Sequence, residues 1–184
     1  MTAEMRPRDE LAARASELAE VSMRTGGRLM IGPLPFLAQV SLRLDPSLAE
    51  RVSFPLPLEP NTAWEAGARA ALWLGPDEWL VVGLAHTASE IVAELDRALE
   101  GEHRSIVDVS ANRVALELGG PDRFELLESG CSLDLHPRSW RAGMCAQTLY
   151  AKTQVILHER HDATRVFIRP SFAGYLVDRL LAGL

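Results

Sequence analysis

Short strand-like segments alternate with helical ones along the chain, and this order constrains the fold more than any other feature of the sequence. In the first half, three segments are rich in the aliphatic and aromatic residues that strands favour: 36–44, 68–74 and 78–83. Gly75-Pro76-Asp77 predicts a turn that joins the last two as a hairpin. Thr87-Ala88-Ser89-Glu90 predicts a helix start with a capping box, and Gly101 predicts the end of that helix.

The second half repeats this order. It begins with strands predicted at 105–109 and 113–118, which are joined through residues 110–112. In the second of these strands, Val114, Leu116 and Leu118 alternate with more polar neighbours. A period of two residues is typical of a strand with one buried face and one face in water, so Leu116 is predicted to point inward.

The rest of the second half supplies two more helices and further strands. Pro121 predicts the start of a short helix, and Gly130 predicts a left-handed cap at its end. Strands are predicted at 147–157 and 165–169. A final helix is predicted from Ser171, with three buried residues: Phe172, Leu176 and Leu180. About seven strands and three or four helices in this order predict an α+β fold, with antiparallel sheets that carry helices on one face.

The first 30 residues are predicted to form a helical arm. Residues 9–24 are strong helix formers, but their apolar stripe is weak and rich in alanine, and Gly26-Gly27 ends it. The arm is therefore either loosely docked and dependent on a partner, or an integral helix. Residues 31–184 form the predicted domain, with halves at about 31–103 and 104–184.

Charge and composition exclude several classes of function. The formal charge of -6 disfavours binding to nucleic acid or to a membrane surface. The longest uncharged stretch, residues 29–42, contains Gly32 and Pro33 and is too short to span a bilayer. Charges within residues 1–11 argue against a secretory signal, and the only two cysteines do not form a Cys-x-x-Cys pair. We predict a cytoplasmic protein with reduced thiols.

No motif assigns chemistry to the chain itself. The phosphate-binding Gly-rich loops and the Gly-x-Ser-x-Gly elbow are absent from the sequence, so no catalytic, cofactor-binding or metal-binding residue is assigned. His158 and His161 could chelate a metal if they were helical, but a solvated turn is the preferred interpretation. Cys131 and Cys145 have no basic neighbour and are predicted to be buried structural thiols.

Three polar residues, Asp108, Ser110 and Arg113, are predicted to converge at the corner between two strands. The preferred interpretation is structural, with an ion pair and a hydroxyl that fix the corner. The alternative is that the corner faces a partner or a retained folate-like ligand.

Several sequence blocks resemble the gamma subunit of heterotetrameric sarcosine oxidase. The more specific blocks are Leu72-Trp-Leu-Gly-Pro-Asp-Glu-Trp-Leu80 and Gly130-Cys-Ser-Leu-Asp-Leu-His-Pro137. Their distinctive members are Trp73, Asp77, Glu78, Trp79, Asp134 and His136. Further matching blocks are ordered along the chain from about residue 36 onward, and the first 30 residues carry none.

Residues 108–120 and 143–149 also resemble the folate-binding domain of glycine-cleavage aminomethyltransferase. This resemblance implies the same architecture, two ferredoxin-like halves around a central cleft. The acidic residue that serves folate chemistry in that transferase has no counterpart in residues 151–158, so the cleft is expected to be catalytically empty.

The resemblance implies a non-catalytic subunit of a complex that converts sarcosine to glycine by oxidative demethylation, with formaldehyde or methylene-tetrahydrofolate and hydrogen peroxide as co-products. FAD, FMN, NAD and tetrahydrofolate are then implied for the other subunits, and the partners are the alpha, beta and delta subunits. The alternative function is that of a free-standing folate-binding protein like the aminomethyltransferase.

Overall fold

The computed structural model describes residues 10–184 of the chain. The helices are α1 Glu10–Ala13, α2 Ala15–Arg24, α3 Ala88–Ala98, α4 Arg123–Glu128 and α5 Ala173–Ala182. The strands are β1 Met30–Pro33, β2 Ala38–Leu44, β3 Ala63–Ala66, β4 Arg69–Gly75, β5 Glu78–Gly83, β6 Arg104–Asp108, β7 Val114–Gly119, β8 Met144–Tyr150, β9 Thr153–Glu159 and β10 Ala163–Ile168. Within residues 10–184, every helix is too short or too polar to cross a lipid bilayer.

The strands form two five-stranded sheets, and every pairing between named strands is antiparallel. The first sheet has the order β3-β4-β5-β2-β6, and the second has the order β1-β7-β10-β9-β8. Strand β1 precedes the first sheet in sequence but pairs with β7, while β6 remains with β2. The predicted α+β class with antiparallel sheets is confirmed, but the division between the sheets does not coincide with residues 103 and 104.

The two sheets pack face to face and carry helices on their outer faces. An apolar layer lies between the sheets, and its fully buried members are Ala70, Leu72, Leu80, Val82, Ala115, Cys145, Ile156 and Phe167. Helix α3 packs on the outer face of the first sheet, and α1, α2, α4 and α5 pack on the outer face of the second. Each sheet therefore buries both faces, in a four-layer arrangement.

This layering corrects one prediction for strand β7. Leu116 is fully buried, as predicted, in the layer between the second sheet and its helices. The opposite face is not in water, because Ala115 packs against the first sheet and is also buried. The sequence pattern did not indicate this second buried face, because Ala115 is small and alternates with the charged residues Arg113 and Glu117.

The amino-terminal helices are an integral part of the second layer. Leu11, Leu18 and Val21 are each at most 1% exposed and join the same core cluster as helix α5. Three well-placed large residues thus compensate for the alanines of the stripe. Of the two alternatives for the arm, the structure therefore has the integral helix. Residues 1–9, which also belong to the predicted arm, lie outside the described residues.

The hairpin of β4 and β5 is confirmed, but residues 147–157 do not form a single strand. They belong to the hairpin of β8 and β9, which turns at Ala151 with a φ of 51°. Strands β1 and β3 were not predicted. Phe172, expected to be buried, is 46% exposed, because it lies in the 3-10 turn before α5 rather than in the helix.

Two predicted helix caps are wrong in their details. Helix α3 begins after Thr87, but the Thr87 hydroxyl donates to the carbonyl of Leu84 rather than serving a capping box. Gly130 follows α4 without a positive φ. A β-carbon at this position would lie 2.7 Å from the ring of Tyr150, so glycine is required there for close packing.

Candidate functional site

The corner between β6 and β7 is fixed by the Ser110 hydroxyl. Asp108 Oδ1 accepts hydrogen bonds from the Ser110 amide at 2.9 Å and from the Ser110 hydroxyl at 2.5 Å. The same hydroxyl accepts a hydrogen bond from the amide of Gln39 at 2.9 Å. Ser110 and Gln39 are 6% and 1% exposed. The Ser110 hydroxyl is satisfied within this corner, whereas Gln39 Oε1 is buried and has no hydrogen-bond partner among the described residues.

Arg113 does not complete this corner with an ion pair. Asp108 is exposed and bonds Ser110, and no ion pair joins it to Arg113 among residues 10–184. The expected pairing is wrong because the alternation along β7 places Arg113 on the same side as Ala115, toward the first sheet. Only its backbone takes part, since its carbonyl accepts a hydrogen bond from Gln39 Nε2 at 2.8 Å.

Arg113 instead lines a cleft of about 350 Å³ at one end of the sandwich. The cleft lies over the inner face of the second sheet, where Arg169 follows β10 and Gln147 and Gln154 come from β8 and β9. Gln147 Nε2 donates to the carbonyl of Leu74 at 3.0 Å, which joins this end of the sheet to the turn between β4 and β5. Among the residues that the structure describes, no aspartate or glutamate lines the cleft.

The electrostatics of this cleft are one-sided. Burial lowers the pKa of the half-buried Arg113 guanidinium, and the nearby charge of Arg169 lowers it further, while Glu78 opposes the shift. The cleft therefore presents positive charge on the surface of an acidic protein.

The first family block frames the cleft through the turn between β4 and β5. Trp79 is fully buried, and its indole donates to the carbonyl of Pro57 at 2.7 Å. Asp77 and Glu78 both lie near Arg43, at 3.7 and 2.6 Å. Trp73 packs against the apolar layer between the sheets. In this structure these residues shape the turn.

The second family block forms a turn of its own. The Asp134 carboxylate accepts a hydrogen bond from the amide of His136 at 3.1 Å, and His136 Nδ1 accepts one from the amide of Arg138 at 3.2 Å. A hydrogen bond from Ser139 and the bond from His136 lower the pKa of Asp134. Asp134 and His136 are both exposed, and the hydrogen bonds described above join them to residues of the same turn.

A second cavity, of about 630 Å³, lies between β3 and the loop that joins β9 and β10. His158 lines it from β9 and is only 1% exposed, so the expected solvated turn is wrong at this residue. Burial lowers the pKa of His158 to about 4, although Glu65 lies 3.7 Å from its Nε2. Around it, Arg160 bonds both Glu65 and Glu117, so charges of the two signs balance.

Several histidine, aspartate and glutamate residues line the second cavity, but they are not grouped as a metal centre requires. His161 is exposed in the loop, while His158 is buried on the strand. Within residues 10–184, no three histidine, cysteine, aspartate or glutamate residues are grouped so that they could hold a metal ion.

A buried charge network, centred on Glu159, was missed by the sequence interpretation. Its carboxylate accepts hydrogen bonds from Arg123 at 2.9 Å, Trp140 at 3.0 Å and Thr164 at 2.5 Å. Glu159 continues the alternation of Val155 and Leu157 toward the helical layer. Extending the predicted strand by two residues would have placed this carboxylate inside.

The two cysteines differ in exposure. Cys145 is fully buried, and its thiol donates to the carbonyls of Thr62 and Trp73. Burial raises the pKa of Cys145 to about 12, which agrees with a structural thiol. Cys131 is only partly buried, so the prediction that both thiols are buried holds for Cys145 alone.

Comparison with known proteins identifies relatives over most of the chain. The sequence pattern of the sarcosine oxidase, gamma subunit family matches residues 43–182. The chain is 34% identical over 177 residues to sarcosine oxidase subunit gamma of Corynebacterium sp. (strain P-1), covering 91% of this chain and 86% of the relative. It is 33% identical over 180 residues to the Arthrobacter sp. subunit of the same name, covering 90% and 88%.

Solved structures give the same result. A chain of the heterotetrameric sarcosine oxidase from Corynebacterium sp. U-96, solved in complex with pyrrole 2-carboxylate, matches with a TM-score of 0.80 and 30% identity. The match covers 92% of each chain. Glycine cleavage system aminomethyltransferase T from Bartonella henselae matches with a TM-score of 0.65 and 15% identity, over 89% of this chain and 48% of that one. The latter likeness concerns the fold alone.

Proposed function

This chain belongs to the sarcosine oxidase gamma subunit family, and we propose that it acts as the non-catalytic gamma subunit of a heterotetrameric sarcosine oxidase-type complex. The observation that carries the proposal is the match to a chain of such a complex, which covers 92% of both chains. The whole fold, rather than an isolated motif, is therefore shared with a subunit of an assembly. In the proposed complex, sarcosine is oxidatively demethylated to glycine, with formaldehyde or methylene-tetrahydrofolate and hydrogen peroxide as co-products.

The other subunits of this complex, alpha, beta and delta, would supply the cofactors. The family resemblance implies FAD, FMN, NAD and tetrahydrofolate for these other subunits, and the sequence of this chain contains no Gly-rich phosphate-binding loop. We place the complex in the cytoplasm, in keeping with the two unpaired cysteines.

The surface offers features that suit contact with other subunits. Strand β6 is an edge strand of the first sheet, and Val107 on it is 49% exposed. Other large apolar side chains that are at least 48% exposed include Met23, Leu58, Leu84 and Leu149. Burial of exposed apolar residues is a common source of association free energy.

A free-standing folate-binding protein is the weaker candidate. It is supported only by the aminomethyltransferase likeness, which at 15% identity concerns the fold. The expected acidic residue also has no counterpart in residues 151–158, where Lys152 is the only charged residue.

The decisive experiment is purification of the tagged full chain from its native host. We expect co-elution in fixed stoichiometry with larger flavin-containing chains, and sarcosine-dependent peroxide formation by the assembly. The full chain expressed alone should be colourless and inactive. Recovery of a lone monomer from the host, or stoichiometric flavin absorbance in the isolated chain, would contradict the proposal.

A further inference from the structure

The cleft at the end of the sandwich contains two guanidinium groups without a carboxylate partner. Neither Arg113 nor Arg169 forms an ion pair among residues 10–184. Arg160 and Arg165, which lie near the second cavity, both pair with Glu117. Unlike Arg160 and Arg165, the two guanidinium groups of the first cleft therefore have no ion-pair partner in the described part of the chain, although the charge of Glu78 is felt by Arg113.

This arrangement is unfavourable unless something else supplies a negative charge. Arg113 is half-buried, and its charged form is disfavoured both by burial and by Arg169. A partly desolvated charge without a partner reduces stability. An anion bound between the two guanidinium groups would reduce their repulsion and would accept charge-assisted hydrogen bonds.

The rest of the lining indicates the kind of anion. Gln147 and Gln154 provide amide groups, and Leu149, which is 50% exposed, provides an accessible apolar surface. The volume of about 350 Å³ is at the lower end of the range for small-molecule sites. The guanidinium group of arginine is planar, and its paired N–H donors match the two oxygens of a carboxylate.

We propose that this cleft binds a small organic carboxylate, with the carboxylate between Arg113 and Arg169 and an apolar body against Leu149. All the residues assigned to this site belong to this chain, so the isolated chain is expected to bind. It also gives the carbonyl contact of Gln147 with Leu74 a second role, because that contact holds one wall of the cleft in place.

The test is isothermal titration calorimetry of the full chain with benzoate, a carboxylate on a flat apolar body. Benzamide is the control, since it has nearly the same shape without the charge. We expect saturable binding of one benzoate per chain, and binding of benzamide that is weaker by about tenfold or more. Equal affinity for the two molecules, or no saturable binding of benzoate, would overturn the proposal.

Variants locate the site. Arg169→Gln changes an exposed residue and should weaken benzoate binding by about tenfold or more, and Arg113→Gln should do the same. Arg97→Gln, on the exposed surface of α3, is the matched control and should leave the affinity unchanged. Melting temperatures verify that each variant is folded, and normal binding by folded Arg169→Gln would show that benzoate binds elsewhere.

Inorganic phosphate tests the apolar part of the proposal. It carries charge but has no apolar body that could pack against Leu149. We expect phosphate to displace benzoate only at concentrations about tenfold higher or more. Displacement at equal concentration would show that charge alone selects the ligand and would overturn the assignment to an organic carboxylate.

Discussion

The network around Glu159 gives the sharpest test of how this fold is stabilised. Its side chain is 2% exposed, and that of its partner Arg123 is 12% exposed. The substitution Glu159→Gln keeps the size of the side chain but removes the charge. It also replaces one acceptor oxygen by an amide that donates, so one of the donors from Arg123, Trp140 and Thr164 loses its acceptor.

The expected cost follows from these contacts. Hydrogen bonds to a charged group contribute about 1.5–3 kcal/mol each, and breaking a buried ion pair costs about 3–5 kcal/mol because the remaining charge is left uncompensated. The slight exposure of Arg123 allows some hydration, so we expect the free energy of unfolding to fall by about 3 kcal/mol. For a chain of this length, that corresponds to a melting temperature lower by about 6–12 °C.

The assay is urea denaturation of the full chain, followed by circular dichroism. The matched control is Asp96→Asn, which makes the same carboxylate-to-amide change in the ion pair with Arg104, where Asp96 is 53% exposed. That pair should contribute under about 1 kcal/mol. If Glu159→Gln lowered the free energy of unfolding no more than Asp96→Asn does, the buried network would stabilise the fold no more than an exposed ion pair.

Three further perturbations test other parts of the structure. Leu116→Asp places a carboxylate in a fully buried position and should cost several kcal/mol, about enough to make the chain insoluble or unfolded; an unchanged melting temperature would contradict the orientation of β7. The stability contributed by neutral His158 should be lost as the pH falls from about 6.5 to about 4, by about 3 kcal/mol, because the unfolded chain takes up the proton that the folded chain resists. Stability measured against pH should therefore be flatter in this window for His158→Asn than for the unsubstituted chain, and parallel curves would refute the argument. Iodoacetamide should label the partly buried Cys131 in the folded chain and Cys145 only after unfolding, as mass spectrometry can establish.

The sequence predicted those features of the fold that depend on residues close together along the chain. The hairpin of β4 and β5 depends on two apolar runs and the turn between them, and it formed as predicted. Asp108 and Ser110, two residues apart, were predicted to lie at one corner, and they bond each other there, although the ion pair expected with Arg113 does not form. In both cases the interacting groups are brought together by the strand or turn itself.

Non-local pairing explains what the sequence interpretation missed. Strand β1 has only four residues and includes Gly32 and Pro33, so its own composition argues against a strand. It forms because β7 offers a partner edge far along the chain. The approach of Arg169 to Arg113 is equally non-local, since it depends on the pairing of β10 with β7.

The exchange of β1 into the second sheet also determines when each part of the molecule can fold during synthesis. Residues 38–108 contain every strand of the first sheet, so the strand pairing of that sheet requires no residue synthesised later. Met30 must wait for Gly119 to be made before it can pair. Until then Leu29 and Ile31, which are buried in the native protein, remain in water beside an unpaired strand, a condition that favours aggregation. Residues 29–33 are therefore synthesised before the first sheet but are protected only after it.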